Sequence, residues 1–461
     1  MHVGWAMVFD PLPGGGGPSV EQIRELLEER LDLLPRFRRR LSSPRVASFS
    51  WPTWEPDTEF DIANHVRHAR LPKPGGEAEL HEWMGDFYSH RLDRARPLWE
   101  ITLLDGLGRG RWALATKVHH SLVDGISGAS VTTVILDAEA EPPPGSKGLL
   151  EGLQAKAQQE GGGGGPFSLI TDSLRTGLDV ARHPRSSLRS ILSRSREVAE
   201  VLIREELVSA PHTSLNVAIG STRRFAATGV PLDDLKGIKR ELGGTVNDVI
   251  LAASAGGLRR LFEHRGEHLE ADSVRVMVPV SIRRAAEQLA LGNRVSSLFV
   301  ELPIAEPDPL LRYRKTASAA EELKGGGQAK GAETLVELAG AAPPVIHSVV
   351  ARLSFAPRVF NITITNVPGP QMTLYGLGAP LRRVVPLVPI FAGHAVGVAA
   401  VSYHGEVVFG LNADRSKVPD LEVFREGIEE SLEELRRLAG IGASKGSGGN
   451  AYGGGVAASK R

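Results

Sequence analysis

Short apolar runs alternate with amphipathic segments along the whole 461-residue chain, and this alternation constrains the fold more than any other feature. Runs that are rich in β-branched residues and bounded by Gly, Pro or Asn predict strands. These runs are RWALATKV, VRVMVPVSI, VSSLFVELP, VFNITIT and GEVVFGL. The segments between them carry apolar residues at helical spacing. The pattern predicts an α/β fold in which helices cover mixed β-sheets.

Helix ends are marked clearly in three of the amphipathic segments. SVEQIRELLEERLDLL opens with Ser19 and has Gln22 three residues later, which is the spacing of a capping box. GGTVNDVILAASAGGLRRLF has the same spacing in Thr245 and Asp248. DLEVFREGIEESLEELRRLAG is amphipathic and reaches Gly440, a typical residue for ending a helix. We therefore predict a helix in each of these segments.

The chain is too long for one ordinary hydrophobic core, so two domains are expected. The proline-rich EAEPPPGSKG and the glycine tract at 161–165 divide it. We predict an N-terminal domain over 1–145, a flexible loop and helical crossover over 146–210, and a second domain over 211–441. The low-complexity tail at 442–461 is predicted to be disordered.

Composition removes several classes of function. The formal net charge is zero, which gives no electrostatic footprint for a nucleic acid. The chain contains no cysteine, which excludes disulfides, thiolate metal sites and cysteine nucleophiles. No apolar run approaches the roughly 18 residues of a spanning helix, and the N-terminus MHVGWAMVFDPLP does not have the pattern of a signal peptide. We expect a cytoplasmic protein that binds no nucleic acid.

The stretch KVHHSLVDGISG, which runs from Lys117 to Gly128, follows a predicted strand and precedes a predicted helix. Two adjacent histidines are as often a packed, hydrogen-bonded pair as a functional one. A metal site is not predicted, because neighbouring residues of a strand point to opposite faces, so His119 and His120 cannot easily share one ion. If one imidazole faces the core, the other faces out of the sheet, where a cleft can lie.

A histidine in that position can remove a proton from a hydroxyl group near neutral pH and return it to a leaving group. Asp124 lies where the chain turns towards the helix, and it suits a role in fixing the loop or pairing with an arginine. Gly125 permits a tight backbone and the close approach of a substrate. Because the pattern supplies a base without a covalent nucleophile, direct transfer to an acceptor is expected.

These residues resemble the HHxxxDG motif of the CoA-dependent acyltransferase superfamily, which includes chloramphenicol acetyltransferase and peptide-synthetase condensation domains. Further segments resemble the bacterial wax ester synthase/acyl-CoA:diacylglycerol acyltransferase family and follow its order over nearly the whole chain. They are MHVG (1–4), PRFRRRL (35–41), LDRARPLWE (92–100), LNVAIGSTRRFA (215–226), TVNDVILAA (245–253), MVPVSIR (277–283), LGNRVSSLFVELP (291–303), TNVPGP (365–370) and GHAVGVAAVSYHGEVVFGLNAD (393–414).

The resemblance implies two chloramphenicol-acetyltransferase-like domains, each a mixed sheet flanked by helices, joined by a long helical crossover. It implies a tunnel between them that is open to acyl-CoA on one side and to a lipid acceptor on the other. His120 is then the general base, Asp124 is its structural companion, and His119 supports the loop.

The resemblance also implies residues that bind the substrate. Pro97, Leu98 and Trp99 would shape the acyl channel, and Asn247 would line the site. Asp248 belongs to the same motif as Asn247, but a capping role at the start of its helix is the simpler interpretation.

The function implied is the transfer of a long-chain acyl group to diacylglycerol or to a long-chain alcohol, with acyl-CoA as co-substrate and no other cofactor. The basic stretch RHPRSSLRSILSRSR (182–196) suits either a membrane or lipid-droplet surface or a solvated helix between domains. Two other functions stay open at this point. One is a condensation-type enzyme that uses acyl groups on a carrier protein, and the other is an inactive lipid-binding scaffold.

Overall fold

The structure is a computed structural model that describes residues 2–42, 53–122, 134–143, 145–146, 148–149, 210–267, 273–281, 295–325, 357 and 359–442. Across these ranges, two mixed six-stranded sheets carry the fold, together with a small two-stranded sheet. Helices pack on both large sheets, so the predicted α/β class with two sheet-containing domains is confirmed. Within the described residues, no helix is both long enough and apolar enough to cross a membrane.

The N-terminal half contributes β1 (His2–Phe9), α1 (Val20–Arg30), β2 (Arg39–Leu41), β3 (Trp54–Pro56), β4 (Val66–Arg70), α2 (Glu77–Ser89), β5 (Trp99–Asp105) and β6 (Trp112–His119). Short 3₁₀ turns lie at Leu31–Leu33, Pro35–Arg38, Ile62–Asn64 and Gly108–Gly110. The C-terminal half contributes β7 (Arg223–Pro231), α3 (Leu232–Leu242), α4 (Val246–His264), β8 (Val274–Ser281), β9 (Val295–Leu302), α5 (Pro309–Gly325), β10 (Ile362–Pro368), β11 (Tyr375–Gly376), β12 (Ala379–Leu387), β13 (Val396–Tyr403), β14 (Glu406–Asp414) and α6 (Leu421–Leu438).

All five predicted strands and the three helices with marked ends are present in these elements. The Ser19 hydroxyl accepts a hydrogen bond from the Gln22 N–H, and the Gln22 side chain accepts one from the Ser19 N–H, which is the predicted capping box. Strand β10 begins at Ile362, later than VFNITIT predicts. At Asn361 the side-chain oxygen accepts a hydrogen bond from the Arg275 N–H, and it replaces a backbone carbonyl of the strand as the acceptor.

The order of the first sheet is β11-β12-β1-β6-β5-β4, so two strands from late in the sequence complete a sheet made by the N-terminal half. Its neighbours are antiparallel except for β4 and β5. The second sheet has the order β7-β14-β13-β10-β8-β9 and is parallel at β13–β10 and β10–β8. The predicted domain boundaries stay a prediction, because most of the 146–210 crossover and the tail from 443 lie outside the described residues.

In the described part of the chain, three hydrophobic cores hold these layers together. One lies between the first sheet and α1, and a second lies between the second sheet and helices α3 to α6. The third joins the two halves, because it combines α2 and the first sheet with residues of β7, β12 and β14. Gly4 allows α2 to pack this closely: a Cβ there would lie 2.4 Å from the Tyr88 hydroxyl, which donates a 2.6 Å hydrogen bond to the Thr116 carbonyl.

Polar contacts also join the halves. One Arg383 guanidinium on β12 contacts Glu77 of α2 at 2.6 Å and Glu406 of β14 at 3.4 Å. The Arg223 N–H at the start of β7 donates a 2.7 Å hydrogen bond to the Ser89 hydroxyl at the end of α2. The end of α2 is therefore fixed against both halves.

Candidate active site

The two histidines lie at the end of β6, which is a central strand of the first sheet with β1 on one side and β5 on the other. The strand is buried as far as Val118, and both His119 and His120 are half-buried. The His119 N–H donates a 2.9 Å hydrogen bond to the Leu98 carbonyl, and the His119 carbonyl accepts one of 2.9 Å from the Leu122 N–H. Neither imidazole is sealed inside the core.

The protonation of His119 follows from its contacts. Its Nδ1 accepts a 3.2 Å hydrogen bond from the Ser121 N–H and lies 2.7 Å from the Ser121 hydroxyl. An N–H can only donate, so Nδ1 carries no proton and the neutral ring carries its hydrogen on Nε2. Burial lowers the pKa of His119 to about 4, and the positive charges of the N-terminus and Arg94 add to this effect. His119 is therefore neutral near pH 7.

A third imidazole lies beside this pair. His2 is opposite His119 in the β1–β6 register, and the two rings meet edge to face with 6.3 Å between their centroids. Burial lowers the pKa of His2 to about 3, and nearby positive charges from the N-terminus, Lys117 and Arg91 add to it. Its Nε2 accepts a 3.4 Å hydrogen bond from the Leu92 N–H. His2 and His119 are thus neutral imidazoles in positively charged surroundings.

Pro97, Leu98 and Trp99 are buried immediately beside the histidines. Trp99 pairs with Val118 in the β5–β6 register, its indole N–H donates a 2.8 Å hydrogen bond to the Phe37 carbonyl, and its ring stacks on His65 at 4.5 Å. This segment therefore fixes the end of β6. The prediction that it shapes an acyl channel stays a prediction.

Pro97 and Trp99 also border a cavity of about 450 Å³ on the α2 side of the sheet. Its floor includes Lys117, which is 1% exposed. The Lys117 ammonium lies 3.1 Å from Glu100, 2.9 Å from the Phe87 carbonyl and 4.0 Å from the centre of the Phe87 ring. Burial lowers the pKa of Lys117 and the Glu100 carboxylate opposes that shift. The cavity is charged rather than apolar.

Asn247 and Asp248 lie in the first turn of α4, in the other half of the chain. The Asp248 carboxylate accepts 2.8 Å hydrogen bonds from the Thr245 N–H and hydroxyl, and the Thr245 hydroxyl accepts one from the Asp248 N–H. Asp248 is 3% exposed and forms the capping box of α4, as the simpler interpretation expects. Asn247 is half-buried at the same helix end, and its predicted role in the site stays a prediction.

Asp124 and Gly125 lie outside the described residues, which resume at Val134. Where the described residues resume, buried polar contacts fix the chain. One Arg30 guanidinium at the end of α1 donates to the Val134 carbonyl at 2.8 Å and pairs with the buried Asp137 carboxylate at 3.1 Å. Asp137 also exchanges two backbone hydrogen bonds with Tyr375 of β11. In the part of the chain that is described, no group of three His, Asp or Glu residues is arranged to hold a metal ion.

Sequence reasoning missed the Lys117–Glu100 pair and the Arg30–Asp137 pair. The signal for the first was present, since RWALATKV has one lysine in an otherwise apolar strand and PLWE ends on a glutamate. Arg30 and Asp137 are 107 residues apart and carry no local signal that relates them.

Comparison with known proteins gives the chain its family. The model of the wax ester synthase/diacylglycerol acyltransferase catalytic domain matches residues 1–250, and that of the C-terminal domain of the same enzymes matches residues 291–436. A Mycobacterium tuberculosis protein described as "Probable diacyglycerol O-acyltransferase tgs1" is 33% identical over 439 residues, which cover 94% of this chain and 92% of the relative. A second protein of that organism, tgs2, has the same description and is 34% identical over 456 residues, or 96% of both chains.

Solved structures agree with this match. The wax ester synthase/diacylglycerol acyltransferase from Marinobacter aquaeolei VT8 is 27% identical, covers 96% of this chain and 95% of its own, and superposes with a TM-score of 0.65. The starter condensation domain of rhizomide synthetase is similar in fold alone, with 15% identity, coverage of 95% and 89% of the two chains, and a TM-score of 0.53. The chain therefore belongs to the wax ester synthase/diacylglycerol acyltransferase family of O-acyltransferases.

Proposed function

We propose that this enzyme transfers a long-chain acyl group from acyl-CoA to the hydroxyl of diacylglycerol, with a long-chain fatty alcohol as a second acceptor. The names of the mycobacterial relatives support diacylglycerol as acceptor, and the name of the Marinobacter enzyme supports both acceptors. Because an apolar wall discriminates weakly between two apolar substrates, one site can serve both.

His120 is the general base in this proposal. The observation that carries it is the half-exposed position of His120 at the end of β6, next to a His119 whose Nδ1 already accepts the Ser121 N–H. The remaining nitrogen of neutral His119 is a donor, so His119 in this arrangement cannot accept the proton of an alcohol. That leaves His120 as the base and gives His119 a supporting role.

The reaction then proceeds without a covalent acyl-enzyme. His120 removes the hydroxyl proton while the alcohol oxygen attacks the thioester carbonyl, and the C–O bond forms as the carbonyl oxygen gains negative charge. When the tetrahedral intermediate collapses, the C–S bond breaks and the imidazolium returns the proton to the departing thiolate. A general base contributes roughly 10²–10⁴-fold, so holding the two substrates together must supply much of the remaining rate.

The oxyanion of that intermediate needs a hydrogen-bond donor, which is typically worth about 3 kcal/mol. Asn247 is our candidate, and the Nε2–H of His119 is a second one, since the contacts of its Nδ1 place the proton there. Loss of kcat with little change in either KM on substituting one of them would identify the donor.

The direct test is an assay with radiolabelled palmitoyl-CoA in which diolein and hexadecanol are offered separately and the products are resolved by thin-layer chromatography. We expect labelled triacylglycerol with the first acceptor and wax ester with the second. Turnover with palmitoyl-carrier protein but not with palmitoyl-CoA would support the condensation-type alternative. A bound lipid without turnover of any alcohol would support the inactive scaffold.

We also propose that the enzyme works in the cytoplasm at the surface of the inner membrane or of lipid bodies, where both apolar acceptors are concentrated. The basic stretch at 182–196, which lies outside the described residues, is the candidate for this contact. Flotation with anionic vesicles should carry the protein, and replacement of Arg185, Arg189, Arg194 and Arg196 by Gln should abolish it. Equal flotation of both proteins would contradict the assignment.

A further inference from the structure

The charged cavity beside the histidines has basic side chains at its rim that the proposed chemistry does not use. Arg67, Arg91 and Arg96 line it together with the buried Lys117. Three carboxylates line it as well, those of Asp86, Asp93 and Glu100, so the four cations leave one excess positive charge.

Arg67 and Arg96 form only long contacts with these carboxylates. The Glu100 carboxylate lies 3.1 Å from the Lys117 ammonium but 3.7 Å from Nε of Arg67, and Nε of Arg96 lies 3.7 Å from Asp93. The two arginine contacts are longer than a hydrogen bond. The Arg67 and Arg96 side chains are 61% and 44% exposed, so their guanidinium groups are accessible to a ligand. Planar guanidinium groups bind phosphate in a bidentate manner.

The cavity also has aromatic walls. Trp83 is half-buried and stacks on Phe87 with 4.8 Å between the ring centroids, and both rings line the cavity. Arginines next to aromatic faces suit a ligand that carries both phosphate and a flat base, since bases stack on aromatic side chains. The volume of about 450 Å³ lies within the range of ligand pockets, roughly 300–1,000 Å³.

The distance from this rim to the histidines can be obtained from the sheet register. Arg67 pairs with Thr102, and Thr102 pairs with Ala115, so all three point to the same face of the sheet. His119 is four residues beyond Ala115 on the same strand and shares that face. Two strand spacings of about 4.8 Å and four residues of about 3.3 Å place Arg67 about 16 Å from His119.

We propose that this cavity binds the phosphate-bearing nucleotide end of acyl-CoA, with the pantetheine arm extending along the face of β5 and β6 to His119 and the thioester passing the end of β6 to reach His120. The inference rests on the proposed use of acyl-CoA and adds where its polar end is held. The arm between the thioester sulfur and the first phosphate is about as long as four extended residues, roughly 14 Å, which is close to the distance from His119 to Arg67.

The test compares donors with and without the nucleotide. The triple variant Arg67→Ala/Arg91→Ala/Arg96→Ala and the unmodified enzyme are assayed with palmitoyl-CoA and with S-palmitoyl-pantetheine, which has neither phosphates nor adenine. We expect the ratio of kcat/KM for palmitoyl-CoA to that for palmitoyl-pantetheine to fall at least tenfold in the variant. A variant that keeps the ratio of the unmodified enzyme overturns the proposal, and so does an equal loss with both donors.

Calorimetry of free CoA and free pantetheine separates this inference from the proposed function, because it does not depend on turnover. CoA should bind the unmodified protein at least tenfold more tightly than it binds the triple variant. If the enzyme shows no turnover with acyl-CoA but CoA still binds through these arginines, the proposed function fails and the site stands. If turnover occurs and CoA binds both proteins equally, the site fails and the function stands.

The matched control is Arg240→Ala, which removes one exposed arginine from α3. Its side chain is 74% exposed and lies in the other half of the chain. We expect its donor ratio and its CoA affinity to equal those of the unmodified enzyme. A loss as large as that of the triple variant would show that general surface charge, rather than this cavity, attracts CoA, and would overturn the proposal.

Discussion

The two large sheets have the same number of strands and similar helical cover, but they differ in where they bury charge. The α2 face of the first sheet carries Lys117 and Glu100 and ends at His119. The helices that cover the second sheet bury charges as well, and these include Asp248 of α4 and Arg312 of α5. Burying a charge costs free energy unless it is paired, so Lys117 and Glu100 stabilise each other on the face that leads to His119.

This difference shows how one architecture separates two tasks. The first sheet places titratable groups at the end of a central strand, where a cleft can reach them. The second packs a large hydrophobic cluster against helices α3 to α6, and β12 joins the two sheets by pairing with β1 while Arg383 contacts β14. Substitutions of the histidines at the end of β6 should therefore change activity more than stability, and substitutions in the hydrophobic cluster of the second sheet should do the reverse.

The largest effect on activity should come from the end of β6. His120→Ala should lower kcat by roughly 10²–10⁴-fold, because it removes the proposed base. His120 is half-buried at a strand end, so the thermal midpoint should change little. The measurements are ester formation from labelled palmitoyl-CoA and circular dichroism on heating. A folded His120→Ala protein with near-native ester formation would refute the assignment of the base.

The local elements and the motif could be predicted from the sequence, because periodicity, caps and a contiguous HHxxxDG pattern are short-range signals. The position of β12 could not, because its pairing with β1 joins residues more than 370 positions apart, as in Gly4 with Leu387. The charge of the cavity could not either, since Arg67, Arg91 and Glu100 come together only when β4, β5 and α2 pack. The capping role of Asp248 was predictable because its partner Thr245 is local.

The largest effect on stability should come from the second sheet. Phe424 of α6 is fully buried. Its ring packs so closely against α4 that a Cβ added to Gly257 would lie 2.8 Å from it. Phe424→Ala should lower the free energy of unfolding by about 3–5 kcal/mol through lost burial and a cavity. Urea denaturation measures this, and kcat of the folded fraction should be retained.

The control for this substitution lies on the same helix. Leu438 is 46% exposed, and Leu438→Ala should change the free energy of unfolding by less than about 0.5 kcal/mol. If Phe424→Ala instead removed activity at a temperature where it is folded, the division of tasks between the sheets would be wrong.

A smaller effect should follow from breaking the buried pair of the first sheet. Lys117→Met removes the ammonium and leaves Glu100, whose side chain is 17% exposed, without its closest cation. We expect a loss of about 1–3 kcal/mol in urea denaturation, the usual cost of an unsatisfied buried group. The combined Lys117→Met/Glu100→Gln variant should lose less than the sum of the single variants.

A surface pair provides the matched control. Arg40 and Glu55 are 3.0 Å apart on exposed strands, and their side chains are 41% and 45% exposed. Arg40→Met should cost less than about 1 kcal/mol, because exposed ion pairs contribute little. Equal losses at the two sites would mean that burial of Lys117 is not what makes its pair important.

The smallest expected effect is the pH dependence of stability that the neutral imidazoles create. Burial lowers the pKa of His119 to about 4, below the ordinary value of 6.5, so the unfolded chain takes up its proton first as the pH falls. The free energy of unfolding therefore falls on acidification between about pH 6.5 and about pH 4. Below about pH 4, the contribution of His119 to it no longer changes. His119→Asn keeps a polar side chain but cannot titrate, so its free energy of unfolding should fall less over that window. Urea denaturation at several pH values between these limits measures the difference, and parallel curves for the two proteins would show that His119 is not held neutral by the fold.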